Sequence, residues 1–373
     1  MSKIPRVRPN SLKKKPPTKN VIKFVRIAVV DRIDKKNKPD EKKKKKQSGV
    51  FQNGSDHQYY STTGAMRYNM PMEKDCRFCR KGRLARLFSA TNLGQKMEIS
   101  NFACTNCGYG NHGPVVKCQN CGIIYIDEKL SQLKISSYYE GVDDPVYLLE
   151  QPARKKTFEG YLAPINVLKP RRGKMLDVGT NTGLFVKVAQ KSGWNVSGLE
   201  PSRKAVDFAK KEYSLTLINK PFTKGLFKNN SFDVVTMWDV IEHFEDPIAQ
   251  IKKVSSILKD GGVFAFTTVD PESFLAKMMG TRWSWYMEMH RVFFSIKTAR
   301  YYLKQNGYTK IVIKPHWRYL SLKYFAGCLA AISPQLSKML ISIIEVLGLS
   351  EVIVPYWAND LYNCYAIKKT SKE

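Results

Sequence analysis

The sequence predicts an α/β protein: a mostly parallel sheet with helices on both faces, preceded by a small cysteine-rich zinc-ribbon segment and a disordered basic tail. Three observations carry this. Strand and helix patterns alternate from residue 174 to 269, three Cys-x-x-Cys pairs crowd residues 76–121, and lysines concentrate in the first fifty positions.

The elements follow in order. Residues 1–50 hold 18 Lys/Arg against 4 Asp/Glu, so 14 of the 30 excess positive charges sit there. Lys42 to Lys46 is an unbroken run. Such a segment buries too little apolar surface to offset its ordering entropy, and residues 1–65 are expected to be disordered. The tail suits contact with phosphates, of RNA or anionic lipid, or simple solubilisation, which charge runs more often serve. Residues 66–130 form the ribbon, ending in the strand Ile123-Ile-Tyr-Ile126. Residues 131–170 are a linker with a helix from Arg154 to Leu168, and residues 171–373 form the α/β domain.

Within that domain, strands are expected at Lys174–Gly179, Asn195–Glu200, Leu215–Asn219, Phe232–Trp238 and Gly262–Val269. Helices are expected at Gly183–Ser192, Ser202–Tyr213 and Asp246–Leu258, the last stopped by Gly261-Gly262. A helix Ile296–Gln305, a strand Lys310–Lys314 and a strand Leu361–Lys368 follow, with a mostly helical insertion at 317–358. The apolar stretches at 21–30, 324–333 and 339–355 are interrupted by charges or by Pro334, and none reaches the about 20 residues of a membrane helix. The expected location is the cytoplasm.

Six of the eight cysteines form the pairs Cys76/Cys79, Cys104/Cys107 and Cys118/Cys121. Without a secretion signal, this spacing favours metal over disulfides, because two such turns complete a tetrahedral four-thiolate zinc site. Gly108 and Gly122, directly after the second and third pairs, favour the tight turn, so spacing leaves the ligand set open, with His112 as a further candidate. Cys328 and Cys364 sit in apolar surroundings and read as core.

The run Met175-Leu-Asp177-Val-Gly179-Thr180-Asn-Thr-Gly183-Leu-Phe185 points to the chemistry. A strand ends in an acid, turns through two glycines and enters a helix, and the next strand ends in Glu200. Acids at neighbouring strand tips with a glycine turn between them suit a nucleoside cofactor. Glu200 can accept from both ribose hydroxyls. Asp177 would repel a pyrophosphate but suits the ammonium and sulfonium of S-adenosylmethionine. A dehydrogenase would instead show Gly-x-Gly-x-x-Gly. Trp238 and Asp239 end the Phe232 strand and face the same crevice, where the tryptophan either stacks on a ligand or belongs to the core.

Together with Leu258-Lys-Asp-Gly261-Gly262 and Asp239-Val-Ile-Glu242-His243, these motifs resemble a class I S-adenosylmethionine-dependent methyltransferase, with its Rossmann-like fold. The most similar branch is type 23, which carries a zinc-ribbon-like segment in front. The resemblance covers roughly residues 76–316. It departs at Asn181, where many relatives have a third glycine; asparagine tolerates left-handed backbone better than most residues. The resemblance implies Asp177, Gly179, Thr180, Gly183, Glu200, Trp238 and Asp239 as cofactor contacts and Cys76, Cys79, Cys118 and Cys121 as zinc ligands.

Methyl transfer mainly requires alignment of acceptor, methyl and sulfur, with proton removal from an oxygen or nitrogen acceptor. Histidines are therefore the candidate bases. His243 is expected to shape the pocket, with a base role as the lesser alternative. His290, in a His-x-x-x-Phe-Ser pattern that relatives carry beside the acceptor, is either general base or acceptor-orienting group, or a capping histidine in an aromatic loop. The resemblance implies a small-molecule or glycan-like acceptor, including nucleotide-linked sugars. The alternatives are an RNA methyltransferase gripping phosphates through ribbon and tail, and a non-enzymatic zinc-ribbon scaffold.

Overall fold

A computed structural model describes residues 75–91, 105, 111–128, 138, 144–331, 333–357 and 359–371. The basic tail, Cys104 and Cys107 lie outside the described residues. The strands are β1 (Leu84–Phe88), β2 (Val115–Cys118), β3 (Ile124–Ile126), β4 (Lys174–Val178), β5 (Asn195–Leu199), β6 (Phe232–Trp238), β7 (Leu258–Val269), β8 (Val292–Phe293), β9 (Tyr308–Pro315), β10 (Arg318–Ser321), β11 (Ile353–Tyr356) and β12 (Leu361–Lys368).

Six strands form the main sheet, in the order β5-β4-β6-β7-β12-β9. The β5-β4-β6-β7 part is parallel, whereas β12 runs antiparallel to both of its neighbours. Side chains alternate between two apolar layers, as the two-residue period of a strand requires. Leu176, Val235, Phe264, Cys364 and Ala366 face helices Pro247–Ile257 and Ile296–Gln305. Met175, Val234, Val263, Ala265 and Tyr365 face helices Gln151–Leu168 and Leu184–Lys191. Burying each such side chain contributes about 1.5–3 kcal/mol before ordering costs. The expected two-faced α/β architecture is therefore present.

Local signals set the element ends. Ser202 caps its helix by accepting from the Ala205 amide, and Asp246 caps the next by accepting from Ala249. Gly183 and Gly261 have φ of 77° and 67°, in the left-handed region that glycine adopts without strain. One expected strand did not form. Leu215–Asn219 makes only a bridge between Ile218 and Leu199, although Leu215 and Leu217 are buried in alternation. Pro221 follows at once and has no amide to continue a ladder. The insertion 317–358 contains helices Leu322–Cys328 and Pro334–Val346 and also a hairpin, β10 with β11, that hydropathy did not reveal.

The cysteine-bearing strands form a second sheet in the order β1-β2-β3-β8. Its last member, β8, belongs to the α/β domain, and Ile124 and Tyr125 pair with Phe293 and Val292. Ion pairs tie the same seam. Glu245 binds Arg77 at 3.0 Å and the buried Arg291 at 2.6 Å, and Arg291 also donates to the Glu128 carbonyl. The ribbon strands thus brace the segment that carries His290.

Candidate cofactor and acceptor site

A cavity of about 1180 Å³ opens at the carboxyl ends of β4, β5 and β6. Chain connections leave β4 for β5 on one side and return to β6 on the other, so the crevice lies at a topological switch point. Its size exceeds the about 300–1,000 Å³ of a single-ligand pocket.

Asp177 and Glu200 sit at adjacent tips and are 2% and 7% exposed. Asp177 Oδ1 accepts from Thr236 Oγ1 at 2.6 Å. Glu200 accepts from the Asn181 amide at one oxygen and the Ser202 amide at the other, both at 2.8 Å. Those bonds fix its carboxylate while each oxygen keeps acceptor capacity for a ribose hydroxyl. Gly179, with φ of 71°, would place a Cβ 2.6 Å from Val240, so the turn has room only for glycine. Asn181 holds φ of 51°, the left-handed turn that a glycine would otherwise supply. Gly179, Thr180, Asn181, Thr182 and Glu200 all line the cavity, and the buried hydroxyl of Thr182 has no hydrogen-bond partner. Asp177 and Gly183 stand behind that lining.

Burial pushes both acids up to about 7, opposed for Asp177 by the Thr180 and Thr236 hydroxyls and for Glu200 by its two amides. The sign follows. The folded protein without ligand binds more protons than the unfolded chain between the usual carboxyl range and pH 7. These groups therefore subtract stability as pH rises through that window. A cationic ligand needs the ionised forms, so its affinity should rise between pH 6 and pH 8 with uptake of the ligand releasing protons at the lower end. Calorimetric titration in buffers of different ionisation enthalpy reads both effects.

Trp238 is 8% exposed and packs on Tyr161 and Phe185 at ring separations of 4.8 and 5.3 Å, while also lining the cavity. It thus belongs to the core and bounds the pocket. Asp239, at φ of 55°, binds Arg318 Nη2 at 3.1 Å, and the guanidinium holds its carboxyl below the usual range against the effect of burial. Arg318 also donates to His316 Nε2 at 3.0 Å and lies over Trp285.

The other end of the cavity holds the histidines. His243 contacts the Met289 carbonyl through Nδ1 at 2.9 Å and the Asp239 carbonyl through Nε2 at 3.1 Å. His290 donates from Nδ1 to the Trp285 carbonyl at 3.0 Å and stacks on the Trp285 ring at 5.8 Å. The two imidazoles are 4.9 Å apart. Burial lowers both below the usual histidine range, so both are neutral at pH 7. Sequence reasoning did not assign Glu242, Trp285, Arg318 or Asp360, which line the same chamber. A carboxylate beside His243 was the one available signal; Arg318 and Asp360 arrive through the hairpin and the antiparallel strand.

Away from the cavity, Cys76, Cys79, Cys118 and Cys121 converge, with their sulfurs within 4.8 Å of one another. Cys76 and Cys121 are 3.9 Å apart and Cys79 and Cys118 3.6 Å. Zinc at about 2.3 Å from four thiolates sets sulfurs about 3.8 Å apart, so the set fits that ion. A Cβ at Gly82 would meet the Cys118 sulfur at 2.3 Å, so glycine there gives the thiolate its space. The Cys118/Cys121 turn points the Cys121 amide at the Cys118 sulfur, 3.4 Å away. His112 is buried with Nδ1 on the Gly113 carbonyl, and it is not part of this set.

A nucleoside-cofactor crevice in an α/β sheet is what the fold and acids define. Residues 153–312 match the family model for a methyltransferase domain. A ubiquinone biosynthesis O-methyltransferase of Actinobacillus pleuropneumoniae is 31% identical over 134 residues, 30% of this chain and 57% of that protein. One from Vibrio parahaemolyticus is 26% identical over 152 residues, 35% of this chain and 65% of that protein. The chain therefore spans less than two thirds of either relative. Among solved structures, a SAM-dependent methyltransferase from Archaeoglobus fulgidus matches 60% of this chain and 100% of that one at 16% identity and a TM-score of 0.42. That likeness is too slight to add to the topology. Among the described residues, no helix is long and apolar enough to cross a membrane.

Proposed function

We propose that the protein transfers the methyl group of S-adenosylmethionine to a small-molecule or glycan-like acceptor, a nucleotide-linked sugar among the candidates, and that the four cysteines hold a structural zinc. One observation carries the first part: the same cavity is lined by Glu200 and by His243 and His290. Its volume accommodates a cofactor and an acceptor together. The curated relatives are named O-methyltransferases, which favours oxygen as the accepting atom.

Bound S-adenosylmethionine would supply an activated methyl on a good leaving group. The chain's own residues supply placement. Glu200, pinned by two backbone amides, fixes the ribose, and Asp177 offers negative charge to the cationic end. Trp238 and Asp239 bound the middle of the cavity. His290, neutral with its proton on Nδ1, presents Nε2 to orient the acceptor's hydroxyl and accept its proton. Trp285, anchored by its indole N–H on Asp360 at 2.9 Å, holds that imidazole flat. His243, through the nearer of its two main-chain carbonyl contacts, Nδ1 to Met289, keeps the loop of residues 285–290 against β6.

The test is turnover on a panel of nucleotide sugars, glycan intermediates and hydroxylated small molecules. His290→Ala should lower kcat by about 10²–10⁴-fold while cofactor binding is retained; unchanged turnover would exclude His290 from the reaction. The zinc half is tested by metal analysis of purified protein, expected at one zinc per chain and lost in Cys118→Ser.

A further inference from the structure

We propose that Glu242, His243 and His290 form a binding site for a divalent first-row cation at the acceptor end of the cavity. This deepens the methyl-transfer reading and rests on it only for what the cation does, not for its binding.

Three buried carboxylate oxygens have no hydrogen-bond partner: Asp239 Oδ1, Glu242 Oε2 and Asp360 Oδ1. All three residues line the same chamber, together with Arg318. Asp239 spends its other oxygen on Arg318, and Asp360 spends its other oxygen on the indoles of Trp283 and Trp285. Glu242 is 1% exposed and makes no side-chain ion pair among those found in the described residues. Asp239 and Asp360 are thus each engaged through one oxygen, whereas Glu242 lines the chamber with no cationic partner of its own among the ion pairs of the described residues.

The histidines have the arrangement that metal ligands need. A ligating imidazole usually donates its second nitrogen to a carbonyl, which fixes both tautomer and ring orientation. His290 donates from Nδ1 to the Trp285 carbonyl, which leaves the lone pair on Nε2. His243 faces the Met289 carbonyl through Nδ1 at 2.9 Å and the Asp239 carbonyl through Nε2 at 3.1 Å; a neutral ring donates to only one of them, and donation from the nearer Nδ1 leaves the Nε2 lone pair to turn from the Asp239 carbonyl to a cation. One oxygen of Glu242 and one ring nitrogen of each histidine lie within 4.8 Å of one another. A cation at about 2.1 Å from each would hold its ligands up to about 4.2 Å apart, so the set needs only a small inward turn.

Backbone geometry makes this convergence specific. β6 ends at Trp238, Asp239 turns through φ of 55°, and the single turn Ile241–His243 points Glu242 and His243 back over the strand tip. The Arg291 amide then bonds the Glu242 carbonyl at 2.7 Å, which ties the residue after His290 to that turn. Two imidazoles and one carboxylate on one side leave positions open for an exogenous ligand. This donor set suits zinc, manganese, iron or cobalt in the divalent state rather than a thiolate-seeking ion. An acceptor hydroxyl on the cation would lose its proton to cavity water more readily. Its oxygen pair would then form the new bond to the methyl carbon while the carbon–sulfur pair returns to sulfur. With its Nε2 lone pair on the cation, His290 would then orient the acceptor through that ion instead of taking its proton.

The experiment uses full-length protein with zinc already in the four-cysteine site, titrated with Mn²⁺ followed by calorimetry and by its paramagnetic resonance signal. Manganese is a hard ion that does not displace zinc from thiolates. We expect one Mn²⁺ per chain. Glu242→Gln and His290→Ala should each weaken it by at least about tenfold, with S-adenosylmethionine binding kept as the sign that each variant is folded. Absence of Mn²⁺ binding, or binding unmoved by both variants, overturns the site. Failure of the methyl-transfer reading shows separately, as loss of cofactor binding by the parent protein.

Discussion

Replacing Glu200 by alanine should remove S-adenosylmethionine binding from the measurable range. The carboxylate fixes the turn through the Asn181 and Ser202 amides, each at 2.8 Å, and its spare lone pairs would receive the ribose. Hydrogen bonds to a charged group contribute about 1.5–3 kcal/mol each, so losing two ribose contacts costs about 3 kcal/mol or more, roughly a hundredfold or greater in Kd. Glu200→Gln keeps the shape and one acceptor oxygen and should fall between the two. Asp177→Asn removes charge without removing the oxygen that meets Thr236, and should weaken the cationic cofactor more than neutral adenosine. Equal losses for both ligands would show that Asp177 acts only on the fold. Thermal melting of each variant without ligand separates misfolding from lost recognition.

Disrupting the four-cysteine cluster should have the second large effect, and it should reach the acceptor before the cofactor. Structural zinc sites contribute on the order of 10 kcal/mol to folding of small domains. Here the cluster supports β2 and β3, and β3 pairs with β8, two residues after His290. Cys76→Ser or Cys121→Ser should therefore lower Tm markedly and depress turnover. Cofactor affinity should change far less, because Asp177 and Glu200 are held by the parallel strands β4 and β5. If acceptor kinetics survive loss of the metal while Tm falls, the ribbon stabilises without bracing the site.

The sequence revealed local features and hid distant pairings. β6, the helix Ile296–Gln305 and β12 begin and end where their patterns predict, because side-chain periodicity and the caps Ser202, Asp246 and Ser295 act within a few residues. Asp177, Gly179 and Glu200 were legible for the same reason: a strand tip, a turn and the next strand tip lie within 24 residues of chain. Insertion of β12 between β7 and β9 depends on pairings across about a hundred residues, which hydropathy does not encode. The seam of β3 with β8 is of the same kind, so the ribbon read as a separate piece of sequence although it shares a sheet with the segment bearing His290. Trp238 was ambiguous because a tryptophan at a strand end can serve both core and cavity, and it does both. Arg318 and Asp360 reach the chamber only after the insertion folds back, so no local spacing marks them.

On this reading Glu200 binds the ribose of a cationic methyl donor and Asp177, behind the cavity lining, supplies negative charge. Calorimetric titration of the purified protein with S-adenosylmethionine, beside NAD in the same buffer at pH 7.5 or about there, tests it most directly. Saturable binding of one S-adenosylmethionine per chain and no heat from NAD are expected. Binding of NAD alone, or no binding of S-adenosylmethionine by protein that melts cooperatively, would contradict it.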